Sequence, residues 1–350
     1  MARTFDFSKE TEQCAATGID WSRIDNKTLL ITGATGMVGK YLIDVLCYRN
    51  RAYQTKTRII AVGRNEEKFR SRFPGHGSDP FLRFCRADVQ EPIHPGEHLD
   101  YIIHMASNTH PRLYASDPIG TEMSNIFGTY HLLNLAAENE GCRFLFTSSG
   151  DIYGDNRSGE PMLDEKDCGY IDCNTLRAGY IEGKRASEAL CNAFREAKGV
   201  DFVIARLCRI YGPTMQLTDS KAISQFVMNA VRGEDIVLKS KGQQVFSYLY
   251  IYDVVTAMLY LMTKGESGQA YNVADESQFL SLRELAAMLA EISHKEVRYD
   301  VPEEQEKKGA STFMDVRLNP AKIKRLGWTA EVTASEGLKE TVARIRKELE

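Results

Sequence analysis

Residues 28–39 read Thr-Leu-Leu-Ile-Thr-Gly-Ala-Thr-Gly-Met-Val-Gly. The opening run of apolar and β-branched residues predicts a strand, and 37–50 continues with apolar residues three and four apart, which predicts a helix. Three glycines lie between and just inside these elements. Gly33 suits a tight turn, Gly36 lets the backbone approach a pyrophosphate, and Gly39 lets the helix pack close to the strand. A strand before such glycines and a helix after them is the context in which they bind a dinucleotide. Gly33, Thr35, Gly36, Met37, Val38 and Gly39 are therefore expected at a cofactor.

Outward from this stretch, short β-rich runs alternate with helical ones. TRIIAVG (57–63), LRFCRADV (82–89), DYIIHMAS (100–107) and RFLFTSS (143–149) read as the next strands, and a helical pattern over 124–141 stops at Gly141. Apolar strands separated by helices give a parallel sheet with right-handed crossovers, a doubly wound α/β (Rossmann) fold. After residue 200 the order loosens. Residues 201–212 read as one more strand, 220–234 as a helix and 248–265 as a strand running into a helix. Two further helices follow at 281–292 and 334–350. The expected organisation is a polar lead-in over 1–26, a dinucleotide-binding domain over 27–200 with contributions from about 201–214 and 246–264, and a mainly substrate-binding lobe over 215–350. That smaller lobe is expected over the C-terminal edge of the sheet, where ligands bind in such folds. Asp253 reads as a helix N-cap.

The 350 residues carry 44 Lys and Arg against 48 Asp and Glu, a net charge of −4. That balance argues against a nucleic-acid or anionic-membrane partner. No apolar run approaches the roughly 18 residues of a membrane span, and the N-terminus shows no apolar signal region, so a cytoplasmic protein is expected. The eight cysteines are scattered, with no C-x-x-C pair and no Cys/His ladder. They are expected as reduced thiols, Cys168 and Cys173 included, with no metal site.

The second strand ends Gly63-Arg64-Asn65, without the acidic residue that would hold two ribose hydroxyls. Arg64 suits a 2′-phosphate, so the cofactor is read as NAD or NADP, with NADP slightly favoured. Asp88 and Val89 end the third strand at the place of an adenine contact, or Asp88 serves a turn. Met105 follows the fourth strand beside the cofactor, with Ala106 and Ser107; His104 flanks the cofactor or is a hydrogen-bonded core histidine. Further on, Tyr180-Ile181-Glu182-Gly183-Lys184 puts Tyr180 and Lys184 one turn apart on one helix face. A phenol titrates near pH 10, and a neighbouring ammonium favours its phenolate. Ser149, at the end of the fifth strand, supplies a hydroxyl to the reacting oxygen.

These motifs resemble the extended short-chain dehydrogenases/reductases of the NAD-dependent epimerase/dehydratase (nucleotide-sugar) family. The resemblance covers about 27–345 and rests on TGATGMVG, Asp88-Val89, HMAS (104–107), Asn125 with Gly128-Thr129, SSGDIYG (148–154), YIEGK (180–184), RIYGP (209–213), YNVAD (271–275) and LGW (326–328). It is closest in motif to UDP-glucuronate decarboxylases, through Gly183-Lys184-Arg185 and an arginine, Arg177, three residues before Tyr180. The resemblance implies transient oxidation of C4 of a nucleotide-linked sugar with bound NAD(P), followed by decarboxylation or epimerisation. It implies Ser149, Tyr180, Lys184 and Asp151 as catalytic residues, Asn125 at the cofactor, and Arg177 or Arg185 on a sugar carboxylate. It also implies a homodimer in which the helices at 124–140 and 178–198 pair into a four-helix bundle, with Ala186, Ala189, Leu190, Ala193 and Phe194 at the contact.

The chain departs from the family pattern at several positions. The 4,6-dehydratases carry an Asp-Glu pair where Gly150-Asp151 stands here, which weakens that alternative. Arg209 stands where the family has asparagine, and Phe246 where it has an arginine that contacts the nucleotide phosphates. Arg209, Lys221 and Lys241 are candidate phosphate contacts in its place, and Gln225 a further substrate contact. The remaining alternatives are an NADPH-dependent keto-sugar reductase and, from another class, a non-catalytic nucleotide-binding regulatory protein.

Overall fold

A computed structural model describes residues 7–76, 79–109, 116–156, 160–300 and 313–350. Seven strands, β1 (Thr28–Thr32), β2 (Arg58–Gly63), β3 (Leu82–Arg86), β4 (Tyr101–His104), β5 (Arg143–Ser149), β6 (Asp201–Leu207) and β10 (Gln269–Val273), form one parallel sheet in the order β10-β6-β5-β4-β1-β2-β3. Side chains alternate across it, so each face has its own core. Leu29, Ile31, Ile59, Ile103 and Leu145 pack on one side with the helices α1 (Phe7–Ala15), α2 (Met37–Tyr53) and α7 (Ile251–Lys264). Leu30, Ile60, Ile102, Phe144 and Phe146 face the other side, under α4 (Pro118–Glu138) and α5 (Ala178–Lys198). This is the doubly wound arrangement expected. The winding reverses between β1 and β4, and ligands bind where it does.

Three local readings change. The helix expected from 124 begins at Pro118, because Asp117 accepts the Gly120 N–H at 3.0 Å and proline tolerates the first turn. The polar lead-in contains α1, whose Cys14 and Ala15 are fully buried and whose Glu10 accepts from the Tyr250 hydroxyl at 3.1 Å. The single strand expected over 201–212 breaks at Cys208. Up to Leu207 it belongs to the large sheet, and β7 (Arg209–Tyr211) then pairs with β9 (Val245–Tyr250) in a second sheet.

That second sheet also holds β11 (Phe279–Ser281) and β13 (Asp315–Val316), while β8 (Ile236–Leu238) and β12 (Val297–Tyr299) pair apart. The remaining helices are α3 (Glu66–Arg72), α6 (Ala222–Arg232), α8 (Leu282–Ser293), α9 (Ala321–Lys324) and α10 (Ala334–Leu349). Among the described residues no helix is long and apolar enough to cross a membrane.

Asp253 is not the cap of α7; Tyr250 occupies that position. From the third residue of the helix, its carboxylate accepts the backbone N–H groups of Glu331 (2.7 Å) and Val332 (3.2 Å). The buried Trp328 ties the same segment to α7 through a 3.0 Å bond to Thr256. Burial raises the Asp253 carboxyl to about 8 although both N–H bonds favour the charged form. Asp253→Ala strands two backbone donors, one of them buried, and is expected to lower unfolding free energy by about 2–4 kcal/mol. Urea unfolding followed by circular dichroism measures it; a loss well below 1 kcal/mol would show the segment is held by other contacts.

Candidate active site

The ends of β1 and β4 are joined through one hydroxyl. Thr32 Oγ1 accepts the backbone N–H groups of Met105 and Ala106, each at 3.1 Å, and so gives its own proton to Nδ1 of His104 at 2.8 Å. His104 is buried, and desolvation holds its imidazole neutral, down to about 3. It is the hydrogen-bonded core histidine of the two readings. Gly33 sits at φ +68°, and a Cβ there would lie 2.7 Å from the Met105 carbonyl carbon. At Gly39 a Cβ would lie 2.5 Å from the Gly33 oxygen, so α2 docks directly on the turn. Gly36 caps α2 with no side-chain hydrogen bond, which leaves first-turn N–H groups at the wall of a cavity lined by Gly33, Gly36, Met37, Val38 and Gly39. Uncapped donors at a helix N-terminus favour a phosphate. This cradle fits the pyrophosphate of a dinucleotide.

Ser149, Tyr180 and Lys184 line the same cavity. Ser149 ends β5, accepts the Asp151 N–H at 3.1 Å and stands close enough to the Tyr180 phenol to favour its charged form. Lys184, one turn further along α5, is buried; its ammonium donates to the Thr147 carbonyl at 2.8 Å and lies 4.7 Å from the Phe146 ring centre. The electrostatics differ from the simple expectation. Burial and then the charge of Asp151 push Tyr180 up to about 12, against Ser149 and Arg177, and Lys184 does not set that balance. Burial brings Lys184 itself down to about 7, with Glu188 and Cys191 opposing.

The other expected residues divide. Met105, Ser107, Arg209 and Lys221 are in the cavity wall. Asn125 is buried on α4, its Nδ2 donating to Thr121 at 2.8 Å, where α4 meets α5 across Gly183. Val89 is buried under Gly128. Thr35 and Ala106 flank the cavity without lining it. Arg64 projects into solvent and lies 3.7 Å from Asp88, which answers its charge, so the geometry gives the lean towards NADP no support. Arg177 pairs with Asp151 at 2.8 Å beside the Phe313 ring. Arg185 donates to the carbonyls of Ile152 and Gly169, both at 2.8 Å, and pairs with Glu182; it clamps two loops rather than facing the cavity. Gln225 points outward, bonded to Ser220, and Lys241 is exposed. Thr109, Gln216, Asp219, Ser247 and Leu318 also line the cavity. They come from separate stretches with no motif, so no sequence signal singles them out. All eight cysteines are free thiols, Cys168 and Cys173 exposed.

The Lys184 environment has a measurable consequence. Its folded value, about 7, lies below the ordinary 10.5. Below the folded value the ammonium is charged in both states and the desolvation cost is complete. Between the two values the native protein sheds a proton that the unfolded chain keeps, so stability rises with pH. Lys184→Met is therefore expected to melt above wild type near pH 6, by a margin that narrows towards about pH 9, both without dinucleotide. Equal melting temperatures at both pH values would contradict it.

Comparison with known proteins agrees with this arrangement. The family model described as the NAD dependent epimerase/dehydratase family matches residues 29–274. UDP-glucuronic acid decarboxylase 1 of Xenopus tropicalis is 32% identical over 334 residues, which covers 94% of this chain and 74% of that protein. UDP-glucuronic acid decarboxylase 6 of Arabidopsis thaliana is 29% identical over 320 residues, covering 89% and 87%. The UDP-glucose 4-epimerase of Thermotoga maritima, solved with UDP-glucose, shares the fold at a TM-score of 0.78 with 24% identity, covering 92% of this chain and 100% of that one. With a glycine cradle on α2 and a serine, tyrosine and lysine facing one cavity, the chain belongs to the NAD-dependent epimerase/dehydratase family.

Proposed function

We propose that the protein uses bound NAD to oxidise C4 of a nucleotide-linked hexuronic acid, which then loses its C6 carboxylate. The observation that carries this reading is that Ser149, Tyr180 and Lys184, the last two one helix turn apart, line the same cavity as the glycine cradle. When bound, NAD supplies the acceptor for a hydride and a positive charge on its ring. Tyr180 takes the proton of the C4 hydroxyl while Ser149 holds the same oxygen. A ketone at C4 makes the C6 carboxylate a β-keto acid, so carbon dioxide leaves and the electron pair passes through C5 to the C4 oxygen. Ser149 and Tyr180 are placed to stabilise that oxygen; C5 then takes a proton, the hydride returns to C4 and Tyr180 gives its proton back to the C4 oxygen, so the net change is loss of carbon dioxide alone.

Decarboxylation is favoured over the alternatives by three observations. Similar curated proteins are named UDP-glucuronic acid decarboxylases. Arg177 pairs with Asp151 of the cavity wall, its Nε buried with no partner among the described residues, which puts a carboxylate-binding group directly behind that wall. Gly150 stands where a dehydratase carries an acid, and a Cβ there would crowd the Leu318 side chain at 3.1 Å. Epimerisation at C4 is the second reading, because it begins with the same oxidation.

Incubation with catalytic NAD and UDP-glucuronate, read by mass spectrometry, is expected to yield a product lighter by one carbon dioxide. Unchanged mass with inverted C4 means epimerisation, loss of water means dehydration, and net consumption of added NADPH means a reductase. Conversion of no nucleotide sugar would return the protein to the regulatory class. Tyr180→Phe should lower turnover about 10²–10⁴-fold while NAD affinity holds; turnover close to wild type would remove Tyr180 from its role.

We also propose the homodimer through α4 and α5. On α4, Ile119 (75% exposed), Phe127 (46%) and Tyr130 (44%) form an outward apolar face, with Ala189 and Ala193 exposed on α5. Leu190 and Phe194 pack into the subunit's own core and Ala186 is half-buried, which narrows the expected contact to the alanines. Exposed apolar side chains beside small residues on the neighbouring helix suit a self-complementary contact. Light scattering should give twice the 39.4 kDa chain mass, falling to one chain mass in Ala189→Glu. A wild-type monomer would reject the dimer.

A further inference from the structure

Two departures from the family pattern meet in space. The Arg209 guanidinium carbon lies 3.6 Å from the centre of the Phe246 ring. Strand pairing brings them together: β7 runs parallel to β9 with Arg209 opposite Tyr248, and Phe246 is two residues before Tyr248 on the same face. A guanidinium flat on an aromatic ring keeps its N–H edge free for forked hydrogen bonds. Among the described residues Arg209 has no ion pair and no hydrogen-bond acceptor, and its Nε is buried without a partner. The side chain is half-buried in the cavity wall, with Phe246 beneath it and Lys221 in the same wall. Lys221 is already engaged, 3.4 Å from Thr109 Oγ1 and 3.6 Å from Asp219. A partly desolvated cation with open donors is costly unless an anion completes it.

We infer that Arg209, held flat by Phe246, grips the diphosphate of the nucleotide sugar, with Lys221 as a second cation. The arginine that the family carries at the position of Phe246 has been exchanged for one on the neighbouring strand, and the ring left behind orients it. The inference rests on the reading that the substrate is a nucleotide sugar. It assigns the dinucleotide's own pyrophosphate elsewhere, to the N-terminus of α2, because Arg209 is carried by the second sheet and not by the glycine turn.

Isothermal titration of the NAD-loaded protein with UDP, thymidine diphosphate and uridine tests the assignment. At least one diphosphate should bind far more tightly than uridine. Arg209→Asn should weaken diphosphate binding about 10- to 100-fold, the loss expected for hydrogen bonds to a charged group, and leave uridine and NAD affinities unchanged. The double variant Arg209→Asn, Phe246→Arg returns a guanidinium to the same cleft and should recover most of the loss. Unchanged diphosphate affinity in the single variant overturns the inference. So does an equal loss for NAD, which would give the cation to the dinucleotide, and so does a wild-type protein that binds neither diphosphate. A double variant that melts like wild type without regaining affinity also overturns it. If Arg209-dependent binding is found but no nucleotide sugar is turned over, the proposed reaction falls and this assignment stands. If turnover is found and Arg209→Asn binds normally, the reverse holds.

Discussion

At the C-terminal end of β1 the chain must turn within a space that admits no side chain. The backbone of Gly33 lies against that of Met105 just past β4, and α2 lies against the same turn at Gly39. Both contacts are backbone against backbone, so neither can be relieved by rotating a side chain. The Thr32 hydroxyl reinforces the junction by serving two N–H donors of the β4 loop and one histidine nitrogen. Because the chain leaves β1 and β4 towards opposite faces of the sheet, the uncapped start of α2 faces the opening, and the end of β5, carrying Ser149, comes up beside it. The cofactor cradle and the reacting groups share one cavity as a result of this close approach.

The chemistry then works against stability. Lys184 and Tyr180 are both buried, and burial disfavours the charged form of each. In the protein alone the phenol is a weaker acid than free tyrosine, and the lysine holds its proton weakly. Asp151 deepens the effect on Tyr180, and Arg177, paired with Asp151, limits it. Functional sites commonly carry such an electrostatic cost to the resting fold.

The second sheet supplies the other side of the cavity, and its shortest link to the first is one residue long. At Cys208 the chain leaves β6 and becomes β7, so Leu207 and Arg209, one residue apart on either side of it, belong to different sheets while both line the cavity. Asp253 and Trp328 fasten the C-terminal segment to α7 from behind.

Much of this was legible from residues 28–39, 147–154 and 180–184, because each motif is local: a turn that needs glycine, a strand end, a helix turn with fixed spacing. Alternating apolar runs likewise determined the doubly wound sheet, since strands buried on both faces and separated by helices have few other ways to pack. What the sequence could not decide depends on contacts between distant segments. Arg185 carries the charge expected of a carboxylate ligand, but its donors go to the Ile152 and Gly169 carbonyls. Arg64 reads as a phosphate contact until Asp88 is seen beside it. Asp253 reads as a cap until residues 331 and 332 arrive at its carboxylate. The pairing of Arg209 with Phe246 exists only because β7 and β9 lie side by side, 37 positions apart in the chain. Local spacing determines which elements form, whereas the partner of a charged side chain is chosen by whichever donor or acceptor the fold brings within reach, and only the tertiary structure decides that.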